Sequence, residues 1–182
     1  MPAAGTVAVG LSTAPQDVQK RAPGIKYALH VTQIAVSRAG RVTVASVLGL
    51  ESTVVTIETG ERRIVDLTGD VRAFCAGRGD GLVSVFVPHA TAGVAIMETG
   101  ASSEPDALEM LERLLPRDDR YGHAHGSPGH GADHVLPVLV APSITIPVFD
   151  GEPALGIWQS VVLVDTNRDN PRRSVRLSFL EG

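Results

Sequence analysis

The stretch Leu82-Val83-Ser84-Val85-Phe86-Val87-Pro88-His89-Ala90-Thr91-Ala92-Gly93-Val94-Ala95-Ile96-Met97 decides the fold. Residues 82–87 are almost continuously apolar and of strand length, so they read as a central strand buried on both faces. Pro88 ends that run, Gly93 marks a bend, and residues 94–97 form a second apolar run stopping at Glu98. His89, Thr91 and Glu98 therefore fall at strand ends, where a sheet holds the backbone while side chains stay accessible. The other reading of His89 is an ordinary turn residue.

Working outward, residues 53–58 alternate β-branched side chains and read as a strand. A turn at Thr59-Gly60-Glu61 and a run at 62–67 complete a hairpin. Thr68 is placed to cap a helix running through Cys75, with Asp70 at its positive end. Downstream, Ser103 begins a second helix, Pro105 suits its first turn, and Leu108, Leu111, Leu114 and Leu115 recur at helical spacing. Glu109 and Arg113 form an i,i+4 pair on it. The last third reads as an antiparallel meander: a strand at 143–149 containing Pro147, a turn at Asp150-Gly151, a long strand at 155–165 and an alternating strand at 174–180. In that final strand Val175, Leu177 and Phe179 face one way, and Arg176 and Ser178 the other.

The chain has 182 residues, 43% of them hydrophobic, which suits one domain plus a tail. Residues 1–50 carry five basic groups against one acidic, whereas 51–182 carry eleven against nineteen. Two Val-rich pieces in that first segment, 28–37 and 41–48, are candidate strands, but Pro and Gly interrupt it and it reads as a weakly structured N-terminal extension. A formal net charge of -4 argues against nucleic-acid binding. No apolar run approaches the roughly 18–20 residues of a membrane span. One cysteine, Cys75, excludes an internal disulfide. With no charged, apolar start of the secretory kind, a cytoplasmic setting is expected.

Residues 121–134, Tyr-Gly-His-Ala-His-Gly-Ser-Pro-Gly-His-Gly-Ala-Asp-His, hold His123, His125, His130 and His134. Glycine and proline keep the first part of this tract from being a regular helix. A short helix follows, with Asp133 at its N-cap and Pro137 in its first turn, so that His134 sits on an ordered element. Neutral imidazole is the commonest ligand for transition metals. Three histidines from separate elements are what an open catalytic metal site needs, water or substrate filling the fourth position. His89, His123 and His134 meet that description if sheet and helix pack together. A set of this kind suits zinc, and less specifically manganese, iron or nickel. A solvated polar loop is the alternative. Arg172 and Arg173 suit a phosphate clamp, with solvated loop charge as the equal alternative.

In order, several blocks resemble the YjbQ family, also called the secondary thiamine-phosphate synthase family. Val87-Pro88-His89-Ala90-Thr91-Ala92-Gly93 is similar to its V-P-H-T-T-A-G. Ile96-Met97-Glu98, Glu104-Pro105-Asp106, Tyr121-Gly122-His123 and Asp133-His134 sit at further family blocks. Residues 147–159 resemble P-V-x-D-G-x-L-x-L-G-x-W-Q. This chain departs from the family at Ala90, Met97 and Asp133, where threonine, asparagine and alanine are usual.

The resemblance implies an α+β fold over 51–182, with a mixed or mostly antiparallel sheet and a few short helices, assembled as a homotrimer. It also implies a divalent metal, most simply zinc, on His89, His123 and His134. Finally, it implies a phosphorylated small-molecule substrate and thiamine-phosphate-synthase-like chemistry, in which a pyrimidine diphosphate joins a thiazole phosphate. In such a reaction Glu98 and His125 are the catalytic candidates, and Thr91, Arg172 and Arg173 the substrate-binding ones. A non-catalytic trimer that holds a metal or a phosphometabolite is the rival. His125 and His130 are extra histidines in the loop, candidates for a further ligand or a general acid.

Overall fold

Strict alternation builds the final strand, β10 (Arg172–Glu181), of the computed structural model: Arg173, Val175, Leu177 and Phe179 are buried, and the residues between them face outward. The structure describes residues 33–36, 42–45, 49–118, 120–123 and 125–182, the first two segments as backbone only. Ahead of β10 come β1 (Gln33–Val36), β2 (Val42–Ala45), β3 (Leu50–Glu58), β4 (Ile64–Asp66), α1 (Thr68–Cys75), β5 (Gly81–Phe86) and β6 (Ala92–Met97). Then follow α2 (Ser103–Leu114), α3 (His130–Leu139), β7 (Ser143–Phe149), β8 (Glu152–Pro153) and β9 (Ser160–Asp165).

Two antiparallel sheets result. The larger has the order β1-β2-β3-β10-β5-β7-β8, and the smaller β4-β9-β6. They pack face to face through Val83, Val85, Val175, Leu177, Ile146 and Val148 on one side and Val65, Val94, Val161 and Leu163 on the other, with Val71, Phe74 and Cys75 of α1 filling the same core. The far side of the small sheet packs Val162 and Val164 against Leu111 of α2 and Leu136 of α3. The expected α+β class, with mostly antiparallel sheet and a few short helices, is what forms, and the described residues hold three helices.

Several local expectations are corrected. Residues 82–87 are not the doubly buried strand, because Leu82 and Phe86 of β5 face outward. That position belongs to β9, whose Val161 and Leu163 meet one layer and Val162 and Val164 the other. β3 and β4 are not a hairpin. The turn at 59–63 carries the chain from one sheet to the other, held by the Thr59 N–H and hydroxyl on the Pro171 carbonyl. β7, β9 and β10 do not form a meander, since β9 lies in the small sheet and β10 returns between β3 and β5. Residues 154–159 are not strand, and the hairpin partner of β7 is the two-residue β8.

Helix starts differ as well. Thr68 lies inside α1, and its hydroxyl accepts the Val161 N–H. Ser102, not Ser103, precedes α2, and Glu104 accepts the Gly100 N–H. α3 begins at His130 rather than Asp133, so Pro137 sits in its interior. Of the expected N-terminal extension, β1 and β2 join the large sheet through β3. The rest of residues 1–48 lies outside the described residues. Among those described, no helix is long and apolar enough to cross a membrane.

Candidate metal centre

α3 packs on the small sheet through Leu136, and Gly93 of β6 lies so close to the Val140 carbonyl that no side chain fits between them. This contact sets the helix, and with it His130 and His134 on successive turns. Their Nε2 atoms lie 3.0 Å apart. The loop before the helix folds back over it and supplies His123 and His125. The rings of His123 and His134 are 4.2 Å apart, and those of His123 and His125 4.0 Å. All four residues offer a donor nitrogen, and these nitrogens lie within 4.8 Å of one another.

The fold-back depends on small residues. A Cβ on Gly131 would meet Tyr121 Cβ at 2.5 Å and the His123 carbonyl at 2.9 Å. Gly129 adopts φ 80°, a left-handed conformation that suits glycine, and turns the chain into the helix.

Electrostatics favour the neutral form of His123 and His134. Desolvation first, then the neighbouring imidazoles, hold His123 and His134 below the ordinary histidine range. A neutral imidazole has a free lone pair, the form a metal requires. The 3.0 Å between Nε2 atoms approaches the roughly 3.3 Å spacing of two donors on one zinc ion at bond lengths of 2.0–2.1 Å. The donor set fits a borderline transition metal and not magnesium or calcium, which take oxygen.

Behind the cluster lies a polar layer. Asp133 is fully buried; its Oδ1 accepts from Arg117 and, at 2.7 Å, from the Thr166 hydroxyl. Asp133 Oδ2 lies 3.6 Å from His130 Nδ1, and Asp169 Oδ2 lies 3.1 Å from the same nitrogen. Neither contact has hydrogen-bond alignment, so His130 Nδ1 and Asp133 Oδ2 are buried without a partner. Asp169 also accepts the Ser127 N–H at 3.1 Å, and that bond holds its carboxyl below the usual carboxylate range. In front of the cluster a cleft of ≈ 390 Å³ opens, lined by His123, His125, His130, Tyr121 and Asp118 among others.

The residues expected from sequence divide among separate places. His123 and His134 come together, joined by His125 and His130. His89 is elsewhere: its Nε2 accepts the Ser174 N–H at 2.9 Å, and burial followed by the nearby Arg173 charge pushes its pKa down. Arg173 is 2% exposed and gives Asp165 a two-pronged ion pair of 2.6 and 3.0 Å. Thr91 is buried beside that pair, where its hydroxyl accepts from Asn167. Arg172 is exposed and paired with Glu58 at 2.6 Å. Glu98 is exposed at the far end of β6 from Thr91, roughly 20 Å away at the rise of a strand. Sequence reading passed over Arg117 and Asp169, and the polar run Asn167-Arg168-Asp169-Asn170 offered only the signal of a loop.

Comparison with known proteins adds the relatives. The pattern of the UPF0047 YjbQ-like proteins matches residues 53–182. A UPF0047 protein of Mycobacterium tuberculosis is 68% identical over 133 residues, which is 73% of this chain and all of that one. A crystal structure of a hypothetical protein from Aeropyrum pernix shares the fold with a TM-score of 0.66 and 30% identity, over 72% of this chain and 99% of that one. A YjbQ-like protein of unknown function from Sulfolobus solfataricus superposes with a TM-score of 0.68 at 20% identity, over 73% of this chain and 98% of that one. These descriptions carry neither thiamine-phosphate synthesis nor metal-dependent catalysis. The expected metal-dependent enzyme acting on phosphorylated molecules is corrected accordingly: the likeness extends to a fold and a family without an assigned reaction.

Proposed function

The chain belongs to the UPF0047 YjbQ-like family, and within it we propose that this member binds a divalent transition-metal ion, zinc first, at the histidine cluster. The observation that carries this reading is the convergence of His123, His125, His130 and His134, with donor nitrogens within 4.8 Å. Two come from a glycine-containing loop and two from a packed helix, so the fold holds part of the site in place before any ion arrives. When bound, the ion would tie the histidine loop to α3. The chain's own residues supply four imidazoles, a carboxylate layer behind them and an open cleft for entry. The test is metal content. The full chain, stripped with a chelator and incubated with zinc, should retain about one ion per chain, measured by elemental analysis after desalting. No retained zinc, and no rise in melting temperature on adding it, would overturn the reading.

We also propose self-association as a homotrimer, which the family resemblance implies. Its support is a face of the large sheet that is apolar and exposed among the described residues. There Leu50, Leu180, Leu82 and Pro147 stand directly opposite one another across β3, β10, β5 and β7. Leu50, Leu82 and Leu180 are each more than two-fifths exposed, and Phe149 extends the patch. Sedimentation should give the mass of three chains, reduced to one by Leu82→Asp with Leu180→Asp. A wild-type monomer removes the proposal.

A further inference from the structure

An ion held by three histidines keeps a coordination position for water or substrate, whereas four protein donors close the sphere. His130 decides between the two here. It is 8% exposed, while His123 and His125 lie open to solvent. Its two nitrogens face different surroundings: Nε2 looks across 3.0 Å at His134 Nε2, and Nδ1 looks at Asp169 and Asp133. Two carboxylates on the Nδ1 side favour a proton there, which leaves the lone pair on Nε2, aimed into the cluster.

Building on the metal-binding reading, we infer that His130 is the fourth ligand, positioned by Asp169 and Asp133, and that it closes the coordination sphere. The unpartnered buried atoms support this. His130 Nδ1 and Asp133 Oδ2 are buried without hydrogen bonds, and each such group is costly to bury. A small turn of the imidazole toward an ion at Nε2 gives Nδ1–H a carboxylate to donate to. Ion binding therefore satisfies groups that are otherwise orphaned.

The consequence concerns the role of the metal. An ion with four imidazoles clips the loop bearing His123 and His125 onto α3 and presents no site for a substrate atom. The cleft over the cluster is then the path by which the ion enters. Asp169 ties the 167–170 loop to the same clip through Ser127. The metal thus joins the loop at 121–129 to the helix that follows it, and through Ser127 to the 167–170 loop, which is distant in sequence.

Cobalt(II) and azide test this in the full chain. Cobalt reports its coordination through its visible absorption bands, and azide fills any open position. The wild-type cobalt protein should keep its spectrum when azide is added. His130→Ala should bind cobalt more weakly and shift its bands with azide. Asp169→Asn should lower cobalt affinity about 10–100-fold while leaving the melting temperature of the metal-free chain close to wild type. If His130→Ala does not fold, Asp169→Asn carries the test alone. A wild-type spectrum that moves with azide overturns the closed site and leaves the metal-binding reading standing. Unchanged affinity in Asp169→Asn overturns the positioning role. Failure of the wild-type chain to bind cobalt or zinc at all overturns the metal-binding reading itself.

Discussion

His130 and His134 face each other Nε2 to Nε2 across 3.0 Å, one turn apart on α3. An i,i+4 pair on a packed helix is held more tightly than any pair of loop residues, so it anchors the site. Replacing His134 with alanine should lower zinc affinity more than ~100-fold, beyond the effect of losing a supporting hydrogen bond. His89→Ala should keep the zinc stoichiometry and lose about 1 kcal/mol of stability, because the Ser174 N–H loses its acceptor. Competitive zinc titration and denaturant unfolding check the two. Loss of zinc from His89→Ala would restore the three-histidine set expected from sequence.

The ion pair between Arg173 and Asp165 sits at the base of β10, almost without solvent. Removing one partner strands the other charge in the interior. Arg173→Ala should cost about 3–5 kcal/mol in denaturant unfolding. Arg172→Ala breaks only an exposed pair with Glu58 and should change stability by less than about 1 kcal/mol. Comparable losses from the two variants would show that the buried pair lacks this importance.

Acid should weaken the metal-free chain. His89, His123 and His134 all titrate below their ordinary value of 6.5, with desolvation the first cause in each. On acidification the unfolded state therefore takes up protons before the folded one does. The stability these rings contribute is complete above the unfolded pKa and is lost as pH falls through the folded values. Melting temperature should hold steady above about pH 7 and decline from about pH 6.5 downward. Zinc affinity should fall over the same window, since protons compete for the lone pairs. A flat melting profile between about pH 7 and 5 would contradict the neutral cluster.

Gly131 tests the seating of the loop. A methyl group there meets Tyr121 and the His123 carbonyl, the latter a backbone atom that cannot swing aside. Gly131→Ala should weaken zinc binding by at least about 10-fold, in line with loss of ligand support. Circular dichroism should remain close to wild type, because the nearest atoms a methyl group meets belong to the loop and not to a strand. Wild-type affinity in this variant would mean the loop seats without the close approach.

The site was legible in part. Tyr121-Gly122-His123 and Asp133-His134 pointed to two of the clustered histidines. His130 stands four residues before His134, a helical spacing, but a helix expected to start at Asp133 hides it, and His125 lies in a loop where no spacing rule applies. Asp133, expected as a helix N-cap, is a buried acceptor for Arg117 and Thr166. Burial of a carboxylate depends on partners 16 and 33 residues away, which no local pattern records.

The chain's own order of side chains marked most strands and helices, though residues 155–159, expected as strand, are not strand. Alternation marked β10, β-branched runs marked β3 and β7, and leucine spacing marked α2, since each signal lies within a few adjacent residues. Only the tertiary structure decided which strands share a sheet, which strand is buried on both faces, and which imidazoles meet. Those outcomes rest on contacts between residues far apart in the chain. The crossing at 59–63, the seating of α3 against Gly93 and the fold-back over Gly131 bring four rings together and leave His89 with Ser174.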